Sequence, residues 1–242
     1  MVAPLAETLR RQGEWLFRNR SWVPLLLLPI VVTAIFQGPV PDFVDSLWWQ
    51  LVCWAWIAAG LVLRGWVVGQ VPEGTSGRNT REQIAEQLNT TGPYSLVRHP
   101  LYVANAFLWS GILLRPGIWW LWLVGMGWFV VVYERIMLAE EAFLLQRFGD
   151  SFQQWAAQTP AVLLHAGMYR PSARAFQWKK LVFQEYSTWL AVLASYTLLE
   201  GMLTWRQTGD VELPELWGSI LGIAVCGALL VRLLKRYSAW RS

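Results

Sequence analysis

The sequence predicts an all-α integral membrane protein with about six transmembrane helices, two of which form a short helical hairpin. Three observations carry this reading. Of the 242 residues, 55% are apolar by a broad count and only 15% are charged, whereas soluble domains place charge near a quarter of their residues. The chain holds 18 tryptophans, the residue that gathers where hydrocarbon meets head groups. Finally, continuous apolar runs approach or exceed the roughly 20 residues needed to cross about 30 Å of hydrocarbon.

In chain order these runs cover residues 22–36 (WVPLLLLPIVVTAIF), 47–68, 100–114, 118–138, 186–205 and 216–234. The third is short. At 1.5 Å per residue it reaches only about 22 Å, so with the fourth it reads as a hairpin closed by Arg115-Pro116-Gly117. Basic residues orient the set. Arg10, Arg11, Arg18 and Arg20 precede the first run, whereas residues 37–46 carry only Asp42 and Asp45. Arg78, Arg81 and Arg98 lie in the second connection, just after Arg64. Arg147, Arg170, Arg174, Lys179 and Lys180 lie in the fourth, and Arg232, Lys235, Arg236 and Arg241 close the chain. The opposite side has little beyond Arg115 and Arg206. The positive-inside rule then places both termini and both long connections in the cytoplasm, as expected for a bacterial inner-membrane protein.

The net charge of +4 is small and sits beside the runs, which argues for orientation and against nucleic-acid binding. Cys53 and Cys226 lie inside apolar runs without ligand-like spacing, so neither a disulfide framework nor a metal site is expected. The first run starts some 20 residues in and lacks a small-residue cleavage site, so no cleavable signal is expected. With no internal repeat or low-complexity tract, residues 1–242 read as one membrane domain.

Two long polar connections, residues 71–99 and 139–180, hold most of the chemistry-bearing groups. The second opens with Leu144, Phe148, Phe152 and Trp155 at helical spacing, an amphipathic helix suited to lie on the membrane or to cover a site. The first ends in GPYSLVRHPLY. A lone histidine beside an arginine is ordinarily a solvated pair or a lipid-phosphate contact. Here Gly92-Pro93 sets a turn, Pro100 favours extended backbone at His99, and Tyr94 and Tyr102 bracket the pair. So constrained a loop loses little entropy on binding a ligand. Irregular backbone near membrane depth also calls for a cavity or protein cover.

Glu134, Arg135, Glu140 and Glu141 end the long hairpin arm. The ordinary reading is a helix end snorkelling to water. Glu134 and Glu141 are seven apart on one face, however, and acids at this depth must pair, hydrate or hold a cation. Glu200 reads as a residue near the outer interface. His165, Asn89, Thr90 and Thr91 stand where capping and turns are the usual roles.

The run GPYSLVRHPLYVAN, followed by Glu140-Glu141 and Phe148-Gly149, resembles the isoprenylcysteine carboxyl methyltransferase and phospholipid methyltransferase superfamily over residues 75–160. The resemblance implies a membrane enzyme that uses S-adenosylmethionine. Cytoplasmic loops and the amphipathic helix would form the cofactor pocket, and a lipid acceptor would enter from the bilayer. Position by position it implies cofactor contacts from Tyr94, His99, Pro100, Leu101, Tyr102 and Glu140, with Leu88, Asn89 and Asn79 in the approach to the turn. It places Arg135 beside a substrate-binding arginine. Ala104 stands where many relatives have glycine, and Phe152 and Trp155 keep aromatic shape where relatives have tyrosine, without the hydroxyl. Residues 74–80 and those after Pro160 match nothing in prenylcysteine enzymes.

Methyl transfer from a sulfonium is an in-line displacement that depends on alignment. A phosphate or carboxylate acceptor is already anionic and would need a cation, Arg98 or Arg135; an amine would need a base, and His99 is nearest. Arg98, His99 and Arg135 are thus the catalytic candidates. Two other readings stand beside this one. The first is an NADPH-dependent reductase of the sterol-reductase type, disfavoured by Leu101 and Ala104-Asn105. The second is a non-catalytic membrane scaffold or transporter subunit. No obligate protein partner is evident.

Overall fold

The computed structural model describes residues 4–72, 85–163 and 166–239, and among them every regular element is helical. Eight α-helices follow in order: α1 (Leu5–Asn19), α2 (Leu28–Gln37), α3 (Leu47–Gln70), α4 (Pro100–Leu114), α5 (Trp119–Phe148), α6 (Asp150–Gln158), α7 (Trp178–Thr208) and α8 (Glu215–Ala239). Arg78, Asn79, Arg81, the rest of 74–80, His165 and Arg241 lie outside the described residues.

By length and composition three helices can cross a membrane, α3, α5 and the 215–237 part of α8. A fourth crossing arises if α1 and the Val23–Gln37 helix, bent 97° apart, count as one broken span. Six crossings are therefore not reproduced, for two reasons. α4 has only 15 residues, and α7, long enough at 31, dilutes its apolar part with Tyr, Ser and Thr side chains and Glu200. The first apolar run is also divided. Pro24 and Pro29 stand in the first turns of a 3-10 helix, Val23–Leu27, and of α2, where a ring without an N–H is tolerated, and the amphipathic α1 runs off at the bend.

α3 and α4 are the tightest antiparallel pair, because small residues face each other. A Cβ on Gly60 would lie 2.8 Å from the Ala104 carbonyl oxygen, and one on Gly111 would lie 2.7 Å from that of Cys53. Cys53, Ile57, Leu108, Val192 and Tyr196 fill the core that joins this pair to α7. α1 packs across α5 where Gly13 meets the Arg135 backbone, and Phe17, Val132 and Ile136 form a second core there.

The hairpin forms as expected, with Gly117 at φ 70° in its turn. Its apex is tied by a buried ion pair. Arg115 Nε and an Nη hydrogen donate to both Glu200 oxygens, at 2.5 and 2.8 Å, and another Nη reaches the Val44 carbonyl at 2.9 Å. Glu200 thus anchors the end of the bundle opposite His99. The amphipathic stripe is present but not on one helix: Gly149, at φ 52°, ends α5 and starts α6. Phe152 is buried and packs edge-on to Trp155, 5.9 Å between ring centres.

Candidate active site

The Gly92 to His99 loop is built from its backbone outward. Gly92 takes φ 61°, a conformation open to glycine without strain, and starts a 3-10 turn, Gly92–Ser95. Ser95 Oγ donates to the Gly92 carbonyl at 2.7 Å and accepts the Arg170 N–H at 2.9 Å. The chain beyond α6 straps over the loop: Gly92 N donates to Arg170 O at 2.8 Å, Arg98 N to Pro160 O at 2.8 Å, and His99 N to Ala161 O at 3.1 Å. Pro100 then opens α4 while the His99 carbonyl accepts the N–H groups of Tyr102 and Val103.

This strapping turns His99 inward to the end of α5. Its Nε2 lies 2.9 Å from Glu141 Oε1, its Nδ1 3.6 Å from Glu140 Oε2, and its ring stacks on Tyr102 at 5.5 Å. Tyr102 donates its hydroxyl to Glu140 Oε2 at 2.8 Å. Burial pulls the imidazole down, but hydrogen bonds and charge from Glu140 and Glu141 outweigh it, and the His99 pKa is raised to about 8. Burial, with the Glu140 charge behind it, pushes the Tyr94 phenol well above its ordinary value. His99, Tyr94, Tyr102 and Glu140 thus meet at one place, with Pro100 and Leu101 in the first turn of α4 beside them. Leu88 and Asn89 lie half-buried in the irregular chain entering the Gly92 turn.

The two expected arginine clamps are committed elsewhere. Arg98 Nε donates to Glu141 Oε1 at 2.7 Å and an Nη to the carbonyls of Ala156 and Thr159 at 2.9 and 2.6 Å. It fastens α6 to the loop. Arg135 turns to α1 instead, donating to Gln12 at 3.2 Å and to Glu134 at 2.8 Å. Glu134 and Glu141 share a helical face but not a task, since Glu134 is 57% exposed and Glu141 grips His99.

Sequence reasoning left out a second polar group, one turn deeper. Arg64 of α3 donates to both oxygens of Glu185 on α7, at 2.7 and 2.9 Å, and a further Nη to Asn105 Oδ1 at 2.5 Å. Asn105 Nδ2 donates to the Tyr133 hydroxyl at 3.1 Å, and the Tyr133 ring meets that of Tyr102 edge-on at 5.0 Å. The available signal was the three-residue step from Tyr102 to Asn105 on one helix face.

The upper group suits an amino-acid sulfonium in its chemistry. Glu140, 31% exposed, offers a carboxylate to an ammonium, with the Tyr102 hydroxyl fixing one of its oxygens. Residues 44–151 match the model of the phospholipid methyltransferase family. This segment is similar to that family. It takes in α3, α4 and α5, and so includes Arg64, Asn105, Tyr133 and the whole His99 cluster except its strap.

Two curated relatives are similar. One is the nickel-cobalt-cadmium resistance protein NccN of Alcaligenes xylosoxydans xylosoxydans, 27% identical over 166 residues, 65% of this chain and 70% of that protein. The other is the cobalt-zinc-cadmium resistance protein CzcN of Cupriavidus metallidurans, 35% identical over 155 residues, 64% of this chain. The match spans 59% of the length of CzcN. No solved structure matches.

Proposed function

We propose that this protein transfers the methyl group of S-adenosylmethionine to an oxyanion, phosphate or carboxylate, of a membrane lipid head group at the cytoplasmic face of an inner membrane. The carrying observation is the closed cluster of His99, Tyr102, Glu140 and Glu141, set by the hairpin and its loop where the apolar helices end. When bound, S-adenosylmethionine supplies an electrophilic methyl whose bond to sulfur breaks, the electron pair staying on sulfur as the carbon–oxygen bond forms. Glu140 is placed to hold its ammonium, and Tyr94, His99 and Tyr102 to wall it. The protein's task is alignment.

The state of His99 favours an oxyanion over an amine. A base must be unprotonated to accept a proton, whereas with a pKa of about 8 His99 is protonated in roughly nine molecules of ten at pH 7. An oxyanion needs no base. The names of the two relatives fit the same chemistry: a methyl ester removes a charged oxygen that divalent cations bind, so it would lower the affinity of a membrane surface for them.

Calorimetric titration of the purified protein tests the reading. Binding of S-adenosylmethionine, lost in His99→Ala and Glu140→Gln, is expected; NADPH binding in its place would overturn it. Mass spectrometry of total lipids from cells with and without the protein then identifies the acceptor by a shift of one methyl group.

A further inference from the structure

An acceptor oxyanion needs a cation inside the site; Arg98 lies at the loop and holds α6, and Arg135 turns to α1. Arg64 of α3 lies deeper, beside Asn105 and Glu185. Counting 1.5 Å per residue, Arg64, Asn105 and Glu185 lie roughly 7 to 11 Å inside the ends of α3, α4 and α7 on the His99 side. Three helices thus deliver their polar groups to one level, one turn below Tyr102. Charges at such depth are costly and are kept where they face the bundle interior, a partner or a ligand.

We propose that Arg64, with Asn105 and Tyr133, forms the binding site for the anionic group of a membrane lipid, and in the reading above on which this rests that lipid is the methyl acceptor. Depth and the convergence of polar groups from four helices carry the argument, and the donor inventory fits it. A guanidinium has five N–H groups. Glu185 takes one on Nε and one on an Nη, and Asn105 takes one on the other Nη. Among the described residues, two N–H groups remain, one on each terminal nitrogen. That pair forms the fork which meets two oxygens of a phosphate or carboxylate. The Tyr133 hydroxyl accepts from Asn105 and keeps its own proton to donate beside the fork.

Glu185 has a distinct task. Only 1% exposed, against 14% for Arg64, it neutralises the guanidinium when no ligand is present and fixes the direction of the open edge. A free anion would have to leave water to reach this level, whereas a lipid arrives by lateral diffusion.

The test uses the full-length protein in phosphatidylcholine nanodiscs doped with phosphatidic acid, with native mass spectrometry counting the phosphatidic acid retained and calorimetry following S-adenosylmethionine. Wild type is expected to retain one phosphatidic acid. Arg64→Gln and Asn105→Leu should lower retention about tenfold or more, the loss of a charge-assisted contact, and Arg64→Lys should restore it in part, while S-adenosylmethionine affinity stays unchanged. If Arg64→Gln fails to fold because the buried Glu185 loses its bidentate bond to Arg64, the double variant Arg64→Met/Glu185→Leu and the single Asn105→Leu carry the test. Equal retention by wild type and variants would overturn the proposal, as would a parallel loss of S-adenosylmethionine binding, which would make Arg64 a brace for the donor wall. Displacement of phosphatidic acid by inorganic phosphate would reassign the site to a free anion. Retention of lipid by a wild type that binds no S-adenosylmethionine would keep this site and remove the methyl-donor reading instead.

Discussion

Two buried ion pairs mark the two ends of the α4–α5 hairpin, and they are closed to different degrees. At the apex, Arg115 and Glu200 meet on both oxygens and a carbonyl takes a further donor, and the pair is shut off from solvent, at 1% and 6% exposed. At the other end Glu140 and Glu141 gather His99, Arg98 and Tyr102 but stay 31% and 26% exposed. A charge pair buried on every side makes an anchor. A carboxylate left partly open, beside groups that cannot move, makes a binding site.

Substitutions should separate the two ends. The largest effect is expected at the apex, where Glu200→Gln leaves the Arg115 charge uncompensated at a cost of about 3 to 5 kcal/mol. Thermal unfolding in detergent should show it, and Arg115→Met/Glu200→Leu should recover most of it. At the open end Glu140→Gln is expected to cost the donor a charge-assisted hydrogen bond, about 1.5 to 3 kcal/mol. Calorimetry should report a tenfold or larger loss of S-adenosylmethionine affinity with a fall in melting temperature well below that of Glu200→Gln; an equal fall would make Glu140 a second anchor.

The pH dependence sharpens the contrast, because only the open end contains a histidine. The folded His99 pKa, about 8, lies above the unfolded value of about 6.5. Its stabilising effect is therefore fully present below pH 6.5 and lost as pH rises through 8, for about 2 kcal/mol in all. Melting temperatures measured from pH 6 to 9 should fall across that window in wild type and stay flat in His99→Gln. Tyr102→Phe, which removes one hydroxyl donor, should weaken S-adenosylmethionine several-fold, about 1 kcal/mol. The smallest effect is expected from Glu134→Gln: Glu134 is itself 57% exposed, so losing its pair with Arg135 should leave stability within about 0.5 kcal/mol.

Much of the site could be read in the sequence because its parts are local. Gly92, Pro93 and Pro100 write their backbone constraints into consecutive residues, and Arg115-Pro116-Gly117 marks the turn that brings Glu140 back to His99. What the chain hides depends on partners far apart. Arg64 and Glu185 are 121 residues distant, and each alone looks like a charge at a helix end; the pairing exists only once α3 and α7 pack. α7 likewise begins at Trp178, eight residues before its apolar run, because Lys180 turns back to the carbonyls of Val71 and Pro72. The division at Gly149 was missed since a hydrophobic stripe at steps of four and three continues across a glycine that breaks the helix itself.

The strap over the His99 loop bears on how this protein could be taken apart and recombined. The family match ends at residue 151, yet the N–H groups of Gly92, Arg98 and His99 are met by carbonyls at 170, 160 and 161. Exchanging only the matched segment between relatives would pair one protein's loop with another's cover. The smallest transplantable unit runs past Phe176, which packs against the bare face of Gly69, to Glu185, the partner of Arg64, and chimeras cut beyond that point should keep a site that those cut at 151 would lose.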